Sequence, residues 1–212
     1  MLTADMAAFL RSLPPDGSTR GPWTDTDTVV LVGQQHHAFT SFREAHSEVS
    51  FGEGLLRFVG SRGHGLPSDE WNGPDSWRRL WPNRNNLSVF AYDWMGRQFA
   101  FDRNRRPKGE PLVSLLDPAD LKVMNSDFTF DAFLGWLAGP DGDGALSKKL
   151  YAAWRQRGGA APTYKQCLSF KQPLVLGGKQ VPENLELCDM DVHLHVLQQV
   201  NAKIAQLRAA KR

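Results

Sequence analysis

The chain has 212 residues, 41% hydrophobic and 23% charged, which is ordinary globular usage and excludes wholesale disorder or a coiled coil. Its 25 Lys plus Arg nearly balance 23 Asp plus Glu, for a net charge of +2, so the basic excess of a nucleic-acid or membrane-surface binder is absent. Two cysteines, Cys167 and Cys188, show no C-x-x-C spacing; a disulfide framework is not expected, and a reducing, cytoplasmic compartment fits.

The opening residues, Met1 to Leu13, have neither a basic n-region nor a long apolar stretch, so no export signal is expected. A short helix is predicted over Ala4–Ser12. It is followed by a Pro-, Gly- and Ser-rich stretch at 12–28 containing Pro14, Pro15, Gly17, Gly21 and Pro22. Residues 1–50 therefore read as an N-terminal arm and lead-in, and 51–212 as one compact domain. A short strand is expected at Val29–Val32, which is far too short to span a bilayer, and a brief helix at Phe39–His46. The turn Phe51-Gly52-Glu53-Gly54 precedes a strand at Leu55–Val59.

Gly60 to Asn86 mixes Gly, Pro and Arg with Trp71, Trp77 and Trp81; one or two helical turns are predicted around Pro74–Leu80, with the tryptophans covering a sheet. Leu87–Trp94 and Arg97–Asp102 flank Met95-Gly96 and read as a hairpin, with Phe99 and Phe101 on one face. A third strand, Pro111–Leu116, ends at Asp117-Pro118. An antiparallel meander packed with helices, an α+β fold, is the central architectural expectation.

Beyond it the period becomes helical. Phe130, Phe133, Leu134 and Leu137 stand at i, i+3, i+4 and i+7, and Gly139-Pro140 stops the helix. A second helix is predicted over Ala145–Arg157, ended by Gly158-Gly159. Pro173–Leu176 reads as an apolar strand, Gly177-Gly178 as a turn, and Glu183–Asp189 as a polar lead-in. The longest helix, Met190–Leu207, has Asp189 as N-cap and a stripe of Leu197, Val200, Ile204 and Leu207. Arg208, Lys211 and Arg212 then suit its negative dipole end.

No catalytic constellation emerges. Gly177-Gly178-Lys179 is followed by Gln180, which cannot supply the hydroxyl of a P-loop, and no G-x-S-x-G elbow occurs. Asp141 and Asp143 lack the other ligands of a calcium loop. Metal binding is not expected: His193 and His195 are about 200° apart on a helix at ~100° per residue, and His36 and His37 point to opposite sides of an extended segment. The cysteines read as small buried hydrophobes. Glu183, Glu186, Asp189 and Asp191 could supply acid-base chemistry only if a cleft gathered them, and they read as a polar turn and helix start. Charge is uneven, with Arg84, Arg97, Arg103, Arg105, Arg106 and Lys108 in one stretch, whereas 110–143 and 183–191 are acidic.

Two strings carry a resemblance. Phe90-Ala91-Tyr92-Asp93-Trp94-Met95-Gly96-Arg97-Gln98-Phe99-Ala100-Phe101-Asp102 is similar to a "GYDWLGRQFALD" hairpin. Tyr164 to Asp191, with Gln166-Cys167, Pro173-Leu174-Val175-Leu176-Gly177-Gly178 and Glu183-Asn184-Leu185-Glu186, is similar to "QCxxYKxPLFLGGxxxxENLExxD". Both belong to a bacterial family, once described only as a domain of unknown function, of GAD-like and SUKH-like immunity proteins for type VI secretion DNase effectors. The string "FGEGLLRF" at Phe51 to Phe58 resembles that family's "nGLyR" strand. The resemblance spans roughly residues 50 to 195. It departs where the family has an aromatic pair after Asp189 and this chain has His193 and Leu194.

The resemblance implies a SUKH-like α+β fold and a non-enzymatic, cytoplasmic protein that neutralises a nuclease toxin by covering its active site or DNA-binding surface. The implied partner is the cognate toxin, with no cofactor, no membrane and no direct nucleic-acid contact. Glu183, Glu186, Asp189, Asp191 and Trp94 are the candidate partner-binding residues. The alternatives are a metal-dependent hydrolase using His36, His37 or the carboxylates around Asp189, and a scaffold or regulator of the same fold without a toxin partner.

Overall fold

The computed structural model describes residues 2–16, 37–45, 50–59 and 68–210. The expected strand Val29–Val32, residues 17–28 of the Pro-rich stretch, His36 and the glycines of 60–65 lie outside them. Six strands form one antiparallel sheet in sequence order: β1 (Ser50–Phe51), β2 (Leu56–Phe58), β3 (Leu87–Asp93), β4 (Gln98–Asp102), β5 (Leu112–Asp117) and β6 (Lys122–Asn125). The predicted meander is therefore present. It also has a strand at its far edge, β6, that the sequence pattern did not mark.

The β3–β4 turn shows why these residues make a hairpin. The Asp93 carboxylate, fully buried, accepts from the N–H of Met95 at 2.9 Å and of Arg97 at 3.0 Å, closing the turn from within. It also pairs with the Arg97 guanidinium at 2.5 Å, and Arg97 donates onward to the Ala145 carbonyl at 2.6 Å. Gly96 sits at φ +78°, a left-handed conformation that L side chains rarely adopt, and an added Cβ would meet His193 and Met190 at 3.1 to 3.2 Å.

Register places two different cores on the two faces of the sheet. Phe58, Phe99, Phe101 and Val113 face α1 (Ala4–Ser12), α2 (His37–Ala45) and α4 (Phe130–Ala138), and together they form a phenylalanine-rich cluster. A β-bulge between Val89 and Ala91 lets Phe90 join that face, where it stacks on Phe101 at 4.2 Å. Helix α1 begins at its cap, Thr3 Oγ1 accepting from Met6 N at 3.1 Å, and buries Met6 and Phe9 in this core. Its Asp5 approaches α4 so closely that a Cβ on Gly135 would lie 2.6 Å away.

The opposite face carries Val89, Tyr92, Ala100 and Leu116 and is covered as expected by Trp71, which ends α3 (Ser68–Trp71), and by Trp77 and Trp81. Gly139 caps α4, but Pro140, instead of simply stopping the helix, opens another: α5 (Pro140–Ala145), with proline at the position where its missing N–H costs nothing. Helix α6 (Lys148–Gln156) follows, with Gly158 at φ +82° after it.

The largest departures lie at 165–190. Gln166–Phe170 is a strand, β7, paired antiparallel with β8 (Leu185–Asp189), so the expected polar lead-in is half of a two-stranded sheet. Leu174–Leu176, expected as an apolar strand, is a 3-10 turn without a buried residue, because Pro173 and the left-handed Gly177 bracket too few residues to extend. Helix α7 (Met190–Ala209) closes the chain with Asp189 Oδ1 accepting from Asp191 N at 2.9 Å, the predicted N-cap.

Candidate partner interface

The β7–β8 pair is docked on the main sheet by buried polar contacts. Leu168 N donates to the Trp94 carbonyl at 2.7 Å. The Arg57 guanidinium, fully buried, donates to the carbonyls of Pro162 at 2.8 Å and Thr163 at 2.5 Å while lying over the Tyr92 ring, and Tyr92 OH donates to the Tyr164 carbonyl at 2.6 Å. Burial holds the Tyr92 phenol well above its ordinary pKa, so it serves as a neutral donor. These bonds fix where β7 starts and hence where the loop beyond it projects.

That loop, residues 171–184, is braced around Asn184, with Gln172 Nε2 donating to the Leu176 carbonyl at 2.9 Å and Lys171 Nζ to the Glu183 carbonyl at 3.0 Å. Asn184 Nδ2 donates to the carbonyls of Gln172 (3.0 Å) and Lys179 (2.9 Å), and its Oδ1 accepts from Gln172 N at 2.9 Å. Gly178 packs against the same carbonyl so tightly that a Cβ would fall 1.9 Å from it. Held rigid in this way, the loop exposes apolar side chains: Val175 is 38%, Leu176 52% and Val181 37% exposed. Exposed apolar side chains on an ordered loop mark a recognition surface more than a core element does.

Of the acidic candidates, Glu183 lies in this loop, Glu186 follows on β8, and Asp189 and Asp191 stand at the far end of that strand, where α7 begins. Glu183 is exposed and pairs with Arg157 at 2.5 Å; Asp189 is exposed, and its carboxylate caps α7. Glu186 and Asp191 are exposed carboxylates. From Val181 to Val196 there are four carboxylates and no Lys or Arg. Burial, reinforced by the charges of Glu186 and Asp189, pushes the Cys188 thiol up. Leu187, Val192 and Val196 add exposed apolar surface.

Trp94 does not belong to this surface. It is fully buried, its Nε1 donates to the Leu146 carbonyl at 2.6 Å, and its ring packs on Tyr151 at 5.0 Å, so it locks the hairpin to the helices and offers nothing to a partner. Val175, Leu176 and Val181 were missed because an apolar run reads as core; the flanking Pro173 and Gly177-Gly178 were the signal that the run was too short for a strand.

Among the described residues the alternative chemistries find no assembled site. His37 is the exposed first residue of α2; within α7, His193 is buried and His195 exposed, as their spacing requires. Among the described residues no group of three His, Cys, Asp or Glu could hold a metal ion. Cys167 is buried, and burial raises its thiol pKa well above the ordinary value, which suppresses the nucleophilic thiolate. Asp143 pairs with Lys148 at 2.8 Å, between α5 and α6. Among the described residues, no helix is long and apolar enough to cross a membrane.

Residues 127–201, which contain β7, the braced loop, β8 and the start of α7, match the family described as T6SS immunity protein Tdi1, C-terminal. This is a type VI secretion immunity family. The match begins just before α4 and takes in Glu183, Glu186, Asp189 and Asp191. No curated protein matches the chain. Among solved structures, Atu4351 from Agrobacterium tumefaciens is similar over 91% of this chain and 87% of its own, with a TM-score of 0.59 at 11% identity, a likeness of fold.

Proposed function

We propose that this protein acts in the cytoplasm as a non-catalytic inhibitor of a type VI secretion nuclease, binding the toxin through the braced loop 171–184 and the acidic start of α7. The observation that carries the reading is the coincidence of the immunity-family match with an ordered loop of exposed apolar side chains and, from that loop along β8 to the start of α7, four exposed carboxylates without a Lys or Arg among them. A nuclease must present cationic groups to phosphates, so a surface of carboxylates complements its active site or DNA groove, steers the encounter and disfavours DNA itself. Val175, Leu176 and Val181 would supply the desolvated centre that gives such an interface its affinity. The neutralised Glu183 and the capping Asp189 then form the rim, and Glu186 and Asp191 face the partner.

The test is co-expression with the nuclease encoded beside this gene, together with a pulldown of a catalytically inactive form of that nuclease. Protection of the cells and a stoichiometric complex are expected. Intact toxicity and no complex would overturn the reading.

A further inference from the structure

Strand β6 ends the six-stranded sheet, and its outer edge has no partner among the described residues. Ser126 N bonds the Val113 carbonyl and Val113 N bonds the Phe128 carbonyl, which fixes the alternation: Met124 turns its backbone inward to Leu115, and Val123 and Asn125 turn theirs outward. Open edges of this kind are ready templates for another strand.

Beside that edge is a cavity of about 180 Å³, walled by Val113, Leu115, Met124, Phe128, Phe133 and Trp136. It lies on the phenylalanine face, where the helical cover of the sheet runs out and Met124 is left 45% exposed. Ligand pockets run from roughly 300 Å³ upward, whereas a cavity of about 150 Å³ accepts a single benzene ring. The space therefore suits one aromatic or branched aliphatic side chain. The charges flanking the edge are already neutralised: Lys122 pairs with Asp120 at 2.7 Å and Arg105 with Asp127 at 3.0 Å. An uncharged extended segment complements it better than an acidic tail or a nucleic acid does.

We infer that β6 is a second docking surface, on which an extended, uncharged segment of the toxin adds as a seventh strand and inserts one large apolar side chain between Met124 and Trp136. Main-chain bonds to Val123 and Asn125 supply affinity, and the cavity selects the side chain. Three of its walls, Phe128, Phe133 and Trp136, fall within the segment that matches the immunity family.

The inference rests on the toxin-inhibitor reading, and the experiment separates the two. Binding of the inactive neighbouring nuclease is measured for the wild type, Met124→Lys and Asn125→Pro, with thermal unfolding as a check on folding. Hydrogen exchange of residues 120–128 in the wild type, free and complexed, serves as a readout that needs no variant. Weakening by about tenfold or more in both variants, with new protection at Val123 and Asn125, is expected. A wild type that binds with unchanged exchange at β6, or variants that bind as tightly as wild type, would overturn the β6 assignment alone. The same holds if the variants only dissociate a homodimer. A wild type that binds no nuclease removes the inhibitor reading and this inference with it.

Discussion

Asn184 grips Gln172 from both sides, accepting its N–H at 2.9 Å and donating to its carbonyl at 3.0 Å, so that one amide closes a loop whose ends are twelve residues apart. A side chain fixed in this double geometry removes the entropy that binding would otherwise cost. Asn184→Ala is expected to leave the fold intact, with stability lowered by about 1–3 kcal/mol, while the toxin complex weakens as the loop is released. Calorimetry of binding beside urea unfolding checks this. Unchanged affinity would show that loop rigidity is irrelevant to recognition.

Leu176 offers the cleaner separation of stability from binding. It is 52% exposed, so Leu176→Asp removes little buried surface and should change stability by no more than about 0.5 kcal/mol. Toxin affinity is expected to fall by about 2 kcal/mol or more, since a carboxylate would be desolvated at the centre of the contact. A Leu176→Asp protein that still protects cells and binds normally would remove the loop from the interface.

Asp93 is a structural counterpart. Its removal leaves the mostly buried Arg97 guanidinium without its ion pair and two turn N–H groups without an acceptor. Asp93→Ala should cost about 3–5 kcal/mol in denaturant unfolding, the range for breaking a buried pair from one side. Asp117, whose carboxyl is raised by burial despite the attraction of Arg97, is close enough to compensate in part, which favours the lower end. A loss below about 1 kcal/mol would mean that Asp117 takes over the pairing.

His193 makes stability depend on pH. Its Nδ1 lies 3.0 Å from Ser169 Oγ, its Nε2 is buried without a hydrogen-bond partner, and burial lowers its pKa to about 4. The unfolded chain, at the ordinary 6.5, takes up a proton before the folded one does. Stability is therefore complete above about pH 6.5 and declines as the pH falls toward about 4, by a total on the order of 3 kcal/mol. Urea midpoints measured between pH 7.5 and 4.5 should show a steeper acid loss for wild type than for His193→Gln. Parallel curves would mean that carboxylates elsewhere govern the acid limb.

Much of the architecture was legible because it follows from short-range rules. The period of two through Phe99 and Phe101, Gly96 at the hairpin turn and the helical spacing of Phe130 to Leu137 each depend on residues within one element. What escaped depends on partners distant in sequence. Strand β7 is defined by pairing to β8 and by the Trp94 carbonyl, neither of which leaves a mark on Gln166–Phe170 itself. Strand β6 is four residues long and mostly exposed, too short a run to stand out from a loop. The acidic candidates were visible as a cluster in the chain, whereas Trp94 resembled a recognition aromatic until its bond to Leu146 showed what occupies it.

Strand β3 and the residue after it touch all three hydrophobic clusters among the described residues: Phe90 and Ala91 the phenylalanine core, Val89 and Tyr92 the tryptophan core, and Trp94 the cluster under β7. The stretch that matches the immunity family thus borrows its support from upstream, since α4 rests on Phe90 and Phe99 and β7 hangs from Trp94. A fragment cut at the limits of the match would expose Phe130, Phe133, Leu168 and Phe170 together and aggregate. The matched stretch is therefore shorter than what must fold, and the shape of its surface is set by a hairpin that lies outside it.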